Sequence, residues 1–209
     1  MIKDFFKDLL EGVAAGVLIT IGGAVFLALS DNKYVGACLF SVALLCICFK
    51  GYNLFTGKVG FMVYGHDEKA FITLFAGLFG NIVGTLVFGA ALSFALPNLN
   101  VQAVVLCNAK FSQQLYQTLI RAIFCGILMY LAVSIFKENK TIVGIIFCIP
   151  VFILSGFEHS IADMAYFATA RIFDWNAVLF IIVVVLGNTI GGILLPVLTL
   201  LSKKKEEIK

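Results

Sequence analysis

Residues 150–163 read PVFILSGFEHSIAD, and this stretch decides the fold. It lies inside an apolar run of about 141–173, too long and too irregular for one simple span. Pro150 and then Ser155-Gly156-Phe157-Glu158-His159-Ser160 interrupt that run with a helix breaker, a glycine and polar side chains. A second long run, about 34–64, carries a matching interruption, Lys50-Gly51-Tyr52-Asn53-Leu54-Phe55-Thr56-Gly57. Non-helical backbone at membrane depth is tolerated only where protein or a water-filled cavity covers it, so both breaks point inward to a passage. Each break is followed by a glycine–asparagine motif, Gly80-Asn81-Ile82-Val83-Gly84 and Gly187-Asn188-Thr189-Ile190-Gly191-Gly192, with the asparagines 107 residues apart. Two halves of three spans, each with a broken middle helix, predict an inverted repeat. Three is an odd number, so the second half starts from the opposite side. The expected fold is an all-α membrane protein of six transmembrane helices, a 3+3 inverted repeat with helices 2 and 5 broken.

Composition agrees with that reading. The 209 residues are 61% hydrophobic and 13% charged, about half the charge of a soluble domain, and mean hydropathy is +1.05. These values exclude a soluble enzyme, a nucleic-acid binder and a disordered chain. At ~20 residues per span, the apolar runs lie at about 10–30, 34–64, 71–96, 116–136, 141–173 and 177–201. The whole chain, 1–209, is expected to be a single transmembrane channel domain, with half-repeats at about 10–96 and 116–201 and a short basic tail at 202–209. The first dozen residues, MIKDFFKDLLEG, resemble an amphipathic interfacial helix rather than a signal peptide. Basic residues set the orientation. With both termini cytoplasmic, the inner segments hold Lys3, Lys7, Lys69, Lys137, Lys140, Lys203, Lys204, Lys205 and Lys209, and the outer loops hold Lys33, Lys110 and Arg171. The six cysteines lack C-x-x-C spacing and read as small buried hydrophobes. Gly12/Gly16, Gly80/Gly84 and Gly187/Gly191 repeat the small-x-x-x-small spacing of close helix packing, within a bundle or between subunits.

The polar residues left inside the runs are few: Lys50, Asn53, Thr56, Asn81, Arg121, Glu158, His159, Asp163 and Asn188. A charge at the bilayer centre costs at least ~2.5–3.5 kcal/mol, so each is expected to face a cavity or a partner. His159 lies in one break, opposite Thr56 in the other, and histidine exchanges protons near neutral pH. Two histidines, one of them His66 in a charged loop, are too few for a metal or haem clamp, and no cofactor is expected. Arg121, Lys50 and the N-termini of two half-helices bias the passage toward an anion. Glu158 and Asp163 are expected to pair with Arg121, and Lys58 to lie at a surface near a helix end. Three other readings stay open on these residues: a neutral-solute channel in which the acids cancel Arg121, a non-transporting scaffold or complex subunit, and a membrane enzyme using Glu158, His159 and Ser160.

The segments GYNLFTG around Thr56, GFEHSIADM around His159 and LGNTIGG around Asn188 resemble the three motifs of the formate/nitrite transporter family. The resemblance covers nearly the whole chain. It implies a homopentamer in the cell membrane (inner or plasma), each protomer holding its own pore in an aquaporin-like repeat. The implied cargo is a small monovalent anion or its conjugate acid, of the formate, nitrite, hydrosulfide or short-carboxylate class, with protons as partners and no enzymatic activity. By motif, His159 and Thr56 form the central pair. Phe40, Leu44 and Phe152 match one apolar constriction, Leu54 and Phe55 the other, and Arg121 takes the place of the family's vestibule lysine. The chain departs from the pattern at Gly126 and Asp163, where asparagine is usual, at Asn53, where glutamate is common, and at Lys50, an added charge.

Overall fold

The computed structural model describes residues 2–65 and 67–206. His66 and residues 207–209 of the expected basic tail lie outside the described residues, as do the side chains at 204–206. Among the described residues the chain is all-helical. Helices α1 (Ile2–Ala28), α2 (Lys33–Lys50) and α3 (Phe55–Lys58), the last continued by a 3-10 turn (Val59–Val63), are followed by α4 (Glu68–Ala95) and α5 (Pro97–Phe111). Then come α6 (Leu115–Asn139), α7 (Val143–Leu154), α8 (Ser160–Ala170) and α9 (Trp175–Glu206). Local chemistry sets these ends. Asn32 caps α2 by accepting from the Val35 amide at 3.2 Å, and Asp67 caps α4 from Ala70 at 2.8 Å. Gln114 and Gln117 close a capping box at the start of α6.

Among the described residues five helices are long and apolar enough to cross a membrane: α1, α2, α4, α6 and α9. The fifth run of the sequence is divided between α7 and α8, each too short to cross alone. Pro150 sits within α7, and the chain breaks only after Leu154. The interfacial segment at the N-terminus is not separate; α1 runs unbroken from Ile2 into the first apolar run. A larger correction concerns 97–111. That stretch, expected to be an outer loop, is helix α5, opened by Pro97 in its first turn. Leu99, Ala103, Cys107 and Lys110 recur at helical spacing and are buried against the bundle. The helix is too short and too polar overall to register as a span.

Small residues bring the longest helix pairs together. Gly12 faces Gly77, and Gly16 faces Asn81 and Gly84, where α1 meets α4. Gly187 packs on Ala122 and Gly191 on Ile123, where α9 meets α6. These glycine motifs therefore serve close packing within the chain. Gly126 lies directly against the backbone of Asn188, with no room for a Cβ. Gly126→Val is expected to force α6 from α9 and lower stability by ~1–3 kcal/mol, read as a lower thermal midpoint in detergent. Outward, large apolar side chains such as Phe75, Phe79, Phe94 and Phe147 are exposed, as a bilayer-facing surface requires.

Candidate functional site

Both interruptions are built alike. After α2, Gly51 takes a left-handed conformation (φ 71°) and the chain turns back through 52–54 before α3 begins. After α7, Gly156 does the same (φ 69°), and the chain turns back to start α8 at Ser160. These are the two positions where glycine's freedom at positive φ is needed. Each loop hangs on one buried asparagine. Asn81 Oδ1 accepts from the Phe55 amide at 2.9 Å, while its Nδ2 donates to the carbonyls of Gly12 and Asn53 at 2.8 Å each. Asn188 Oδ1 accepts from the Ser160 amide at 2.9 Å, and its Nδ2 donates to the carbonyls of Ala122 and Glu158 at 2.8 Å each. Each glycine–asparagine motif thus fastens a loop that lacks helical hydrogen bonds to two flanking helices.

The starts of α3 and α8 meet at a single hydrogen bond. Thr56 Oγ1 and His159 Nε2 are 2.8 Å apart, and both residues are buried. His159 also caps α8: its Nδ1 accepts from the Ala162 amide at 3.1 Å. An accepting Nδ1 leaves the neutral ring's proton on Nε2, which donates to Thr56 Oγ1. The Thr56 hydroxyl hydrogen is then free to donate in turn. Phe152 stacks on the imidazole at 5.6 Å between centroids and meets Phe40 edge-on at 6.3 Å. Leu44, Leu54 and Phe55 are buried beside them. Two cavities flank this apolar block. The first, about 200 Å³, is lined by Phe152, His159, Lys110, Arg121, Glu158 and Asp163 among others. The second, about 190 Å³, is lined by Leu44, Tyr52, Leu54, Lys58 and Lys137. Leu44, grouped by motif with Phe40 and Phe152, thus lines the second cavity beside Leu54.

The charges are arranged differently from the sequence expectation. Glu158 and Asp163 do not pair with Arg121. Their partner is Lys110 of α5, assigned above to an outer loop, which lies within ion-pair distance of Glu158 and 2.8 Å from Asp163 Oδ1. Gln113 Nε2 donates to the second oxygen of Glu158 at 2.7 Å. Arg121 is exposed on α6 and lines the first cavity, with no ion pair among the described residues. Lys50 is exposed at the end of α2 and lines neither of these cavities. Lys58, expected at a surface, is half-buried and donates to Asn53 Oδ1. Asn53 Nδ2 in turn donates to Asp8 Oδ1 at 3.0 Å, and Thr73 donates to the other Asp8 oxygen at 2.6 Å. Lys110 and this Asp8 network escaped the sequence reading. The one available signal for Lys110 was its helical spacing from Ala103 and Cys107. Among the described residues no three His, Cys, Asp or Glu side chains converge as metal ligands. The site can present a hydroxyl donor and a bound ammonium to a small solute, inside apolar walls that strip water from it.

The family model described as Formate/nitrite transporter matches residues 2–202. Among curated relatives, an uncharacterized transporter, YwcJ, of Bacillus subtilis is 28% identical, over 93% of this chain and 86% of that protein. The formate channel FocA of Escherichia coli is 29% identical, over 78% of this chain and 65% of that protein. Two solved structures share the fold. A chain described as an FNT family ion channel superposes with a TM-score of 0.78 at 22% identity, covering 90% of this chain and 86% of that one. A pentameric formate channel with formate bound superposes with a TM-score of 0.76 at 22% identity, over 99% of both chains.

Proposed function

Because the chain belongs to the formate/nitrite transporter family, a family of membrane channels and transporters rather than enzymes, we propose that it passes a small monovalent anion, or its conjugate weak acid, across the cell membrane. The whole chain acts as one channel domain, a six-span 3+3 inverted repeat in which α2–α3 and α7–α8 form the broken helices 2 and 5. It assembles as a homopentamer in the lipid bilayer, one pore per protomer, with both termini cytoplasmic. The observation that carries this reading is the 2.8 Å contact between Thr56 and His159, where the two half-helix starts meet between two cavities.

In this mechanism an anion collects in the first cavity, drawn by Arg121 and the N-terminus of α8. Phe40, Phe152, Leu44, Leu54 and Phe55 oppose a bare ion, since an unsolvated charge among them is costly. Hydrogen bonding at the Thr56–His159 pair, with a proton accompanying the anion, lets it cross in a near-neutral form. Asn81 and Asn188 hold the two loops, and Glu158 and Asp163 fix the ammonium of Lys110 at the cavity wall. Lys50 contributes to the field at the mouth nearest the end of α2.

Uptake into proteoliposomes of formate, nitrite, hydrosulfide and lactate, each at two external pH values, tests the reading. Uptake is expected to rise as external pH falls, and the acid-stimulated component to disappear in His159→Phe. Uptake indifferent to pH in the native protein sinks the proton-linked mechanism. One arrangement favours a second reading, a neutral-solute channel: Lys110 is already offset by its two carboxyl partners. Osmotic swelling in neutral solutes without any anion flux would establish it instead.

A further inference from the structure

Two lysines on the far side of the apolar block have no acid to meet them. Lys58 of α3 and Lys137 in the last turn of α6 both line the second cavity. Both also line a third cavity, of about 340 Å³, bounded further by Phe61, Asp67, Lys69 and Thr73. They therefore stand where the two spaces adjoin. Neither makes an ion pair among the described residues. Lys58 donates to the amide oxygen of Asn53, and the Lys137 ammonium sits over the Phe61 ring, 3.8 Å from its centroid. Both of these partners are uncharged.

The acids nearby are already engaged. Asp8 of α1 accepts from Asn53 at one oxygen and from Thr73 at the other. Glu11 pairs with Lys7 at 3.8 Å, and Asp67 caps α4 through the Ala70 amide. Asp8 and Glu11 attract Lys58 only at longer range, and the exposed Glu138 lines neither cavity. Meanwhile Lys58 and Lys137 are close enough to repel one another, and Lys69 adds a third ammonium at the rim. The third cavity thus has three cations against one carboxylate among its described lining residues. The first cavity differs, since Lys110 has two carboxyl partners and Arg121 is its one cation without an ion pair among the described residues. Like charges beside a half-buried wall are poorly screened, and an anion between them relieves the repulsion. A singly charged anion answers one of the two ammoniums. A doubly charged oxyanion answers both, through charge-assisted hydrogen bonds.

We propose that Lys58 and Lys137 form a binding site for a doubly charged tetrahedral oxyanion, of the hydrogen phosphate or sulfate class, which sits at the junction of the second and third cavities and blocks the passage from that end. Leu44 and Leu54 line the second cavity beside this site and stop such an anion from going further. The cost of stripping water from an ion rises as the square of its charge, so two charges are opposed far more than one. The oxyanion binds without being carried. Asn53 aims the Lys58 ammonium and is itself held by Asp8, which ties the site to the end of the bundle where α1 begins. The binding stands on this geometry alone, and the block rests on the small-anion reading above.

Calorimetric titration of the purified full-length protein in detergent tests the site, with sulfate as the probe and formate as the singly charged comparison at equal ionic strength. The native protein is expected to bind sulfate more tightly than formate. Lys137→Gln, at an exposed position, is expected to weaken sulfate binding roughly tenfold or more, the worth of one charge-assisted hydrogen bond. Lys137→Arg is expected to restore most of the loss. Lys203→Gln removes the same charge from an exposed residue that lines neither cavity, and is expected to leave sulfate affinity unchanged. In proteoliposomes, sulfate on both sides is expected to slow formate uptake by the native protein. It should slow Lys137→Gln less, each protein being compared with its own sulfate-free rate. The site is overturned if sulfate binds native protein no more tightly than formate. It is overturned too if sulfate binds native and Lys137→Gln protein equally, or if Lys203→Gln weakens it as much. Sulfate that binds and leaves native formate uptake unslowed overturns the block. The small-anion reading fails separately, if native proteoliposomes take up none of the panel anions beyond empty ones, a result that leaves the sulfate titration standing.

Discussion

Lys110→Met is expected to yield a protein that unfolds in mild detergent and supports little or no transport. The substitution removes the ammonium from a site that still contains Glu158, which keeps one hydrogen bond from Gln113 but loses its counter-charge. Removing one partner from a buried ion pair costs about 3–5 kcal/mol, because the remaining charge is left uncompensated away from water. That is a large share of the ~5–15 kcal/mol that stabilises a typical folded domain. The control is a triple variant, Lys110→Met with Glu158→Gln and Asp163→Asn, which removes the acids as well. Its thermal midpoint is expected to recover most of the loss, since no charge remains without a partner. If Lys110→Met melts at the native temperature, the buried cluster does not have the strength ascribed to it.

Asn188→Leu is expected to be comparably damaging. The asparagine side chain makes three buried hydrogen bonds, to the Ser160 amide and to the carbonyls of Ala122 and Glu158. Leucine has similar bulk and satisfies none of them. Each buried polar group left unpaired costs about 1–3 kcal/mol, and the loop that presents His159 loses its tie to α6 and α9. Anion uptake is expected to fall more than tenfold, with a lower thermal midpoint. Asn81→Leu should do the same through the other loop, whose Phe55 amide it holds. Asn188→Asp keeps the acceptor and loses the donors, and is expected to fall between native and leucine. Native flux in Asn188→Leu would show that the loop holds its shape without the asparagine.

The irregular segments were legible because their cause is local. Lys50-Gly51 and Ser155-Gly156 place glycine where a helix ends in a left-handed turn, and the polar residues that follow stand out against apolar flanks. His159 was legible for the same reason, as a titratable group in a break. The paired asparagines could be seen as a repeat but not as anchors, since their partners lie across the bundle. Gly126 shows the limit well. In the sequence it is a departure from a motif, whereas in the fold it is the point at which α6 touches Asn188. Helix α5 was hidden because its apolar positions are few, and a short half-polar helix looks like a loop until something packs on it.

The pairing of charges was not legible at all. Arg121 sits in an apolar run and looked like the partner of the acids, while Lys110 sat in a polar stretch and looked like solvent-facing loop. In the structure α5 lays Lys110 against α8, 48 residues before Glu158 in the chain. The sequence by itself determined the solvent, the two breaks, the family and the histidine, because polarity and helix-breaking chemistry act over a few neighbouring residues. Only the tertiary structure decided which cation meets which acid. Ion pairing depends on distance and on exclusion of water, and both are set by how helices far apart in the chain come to lie together.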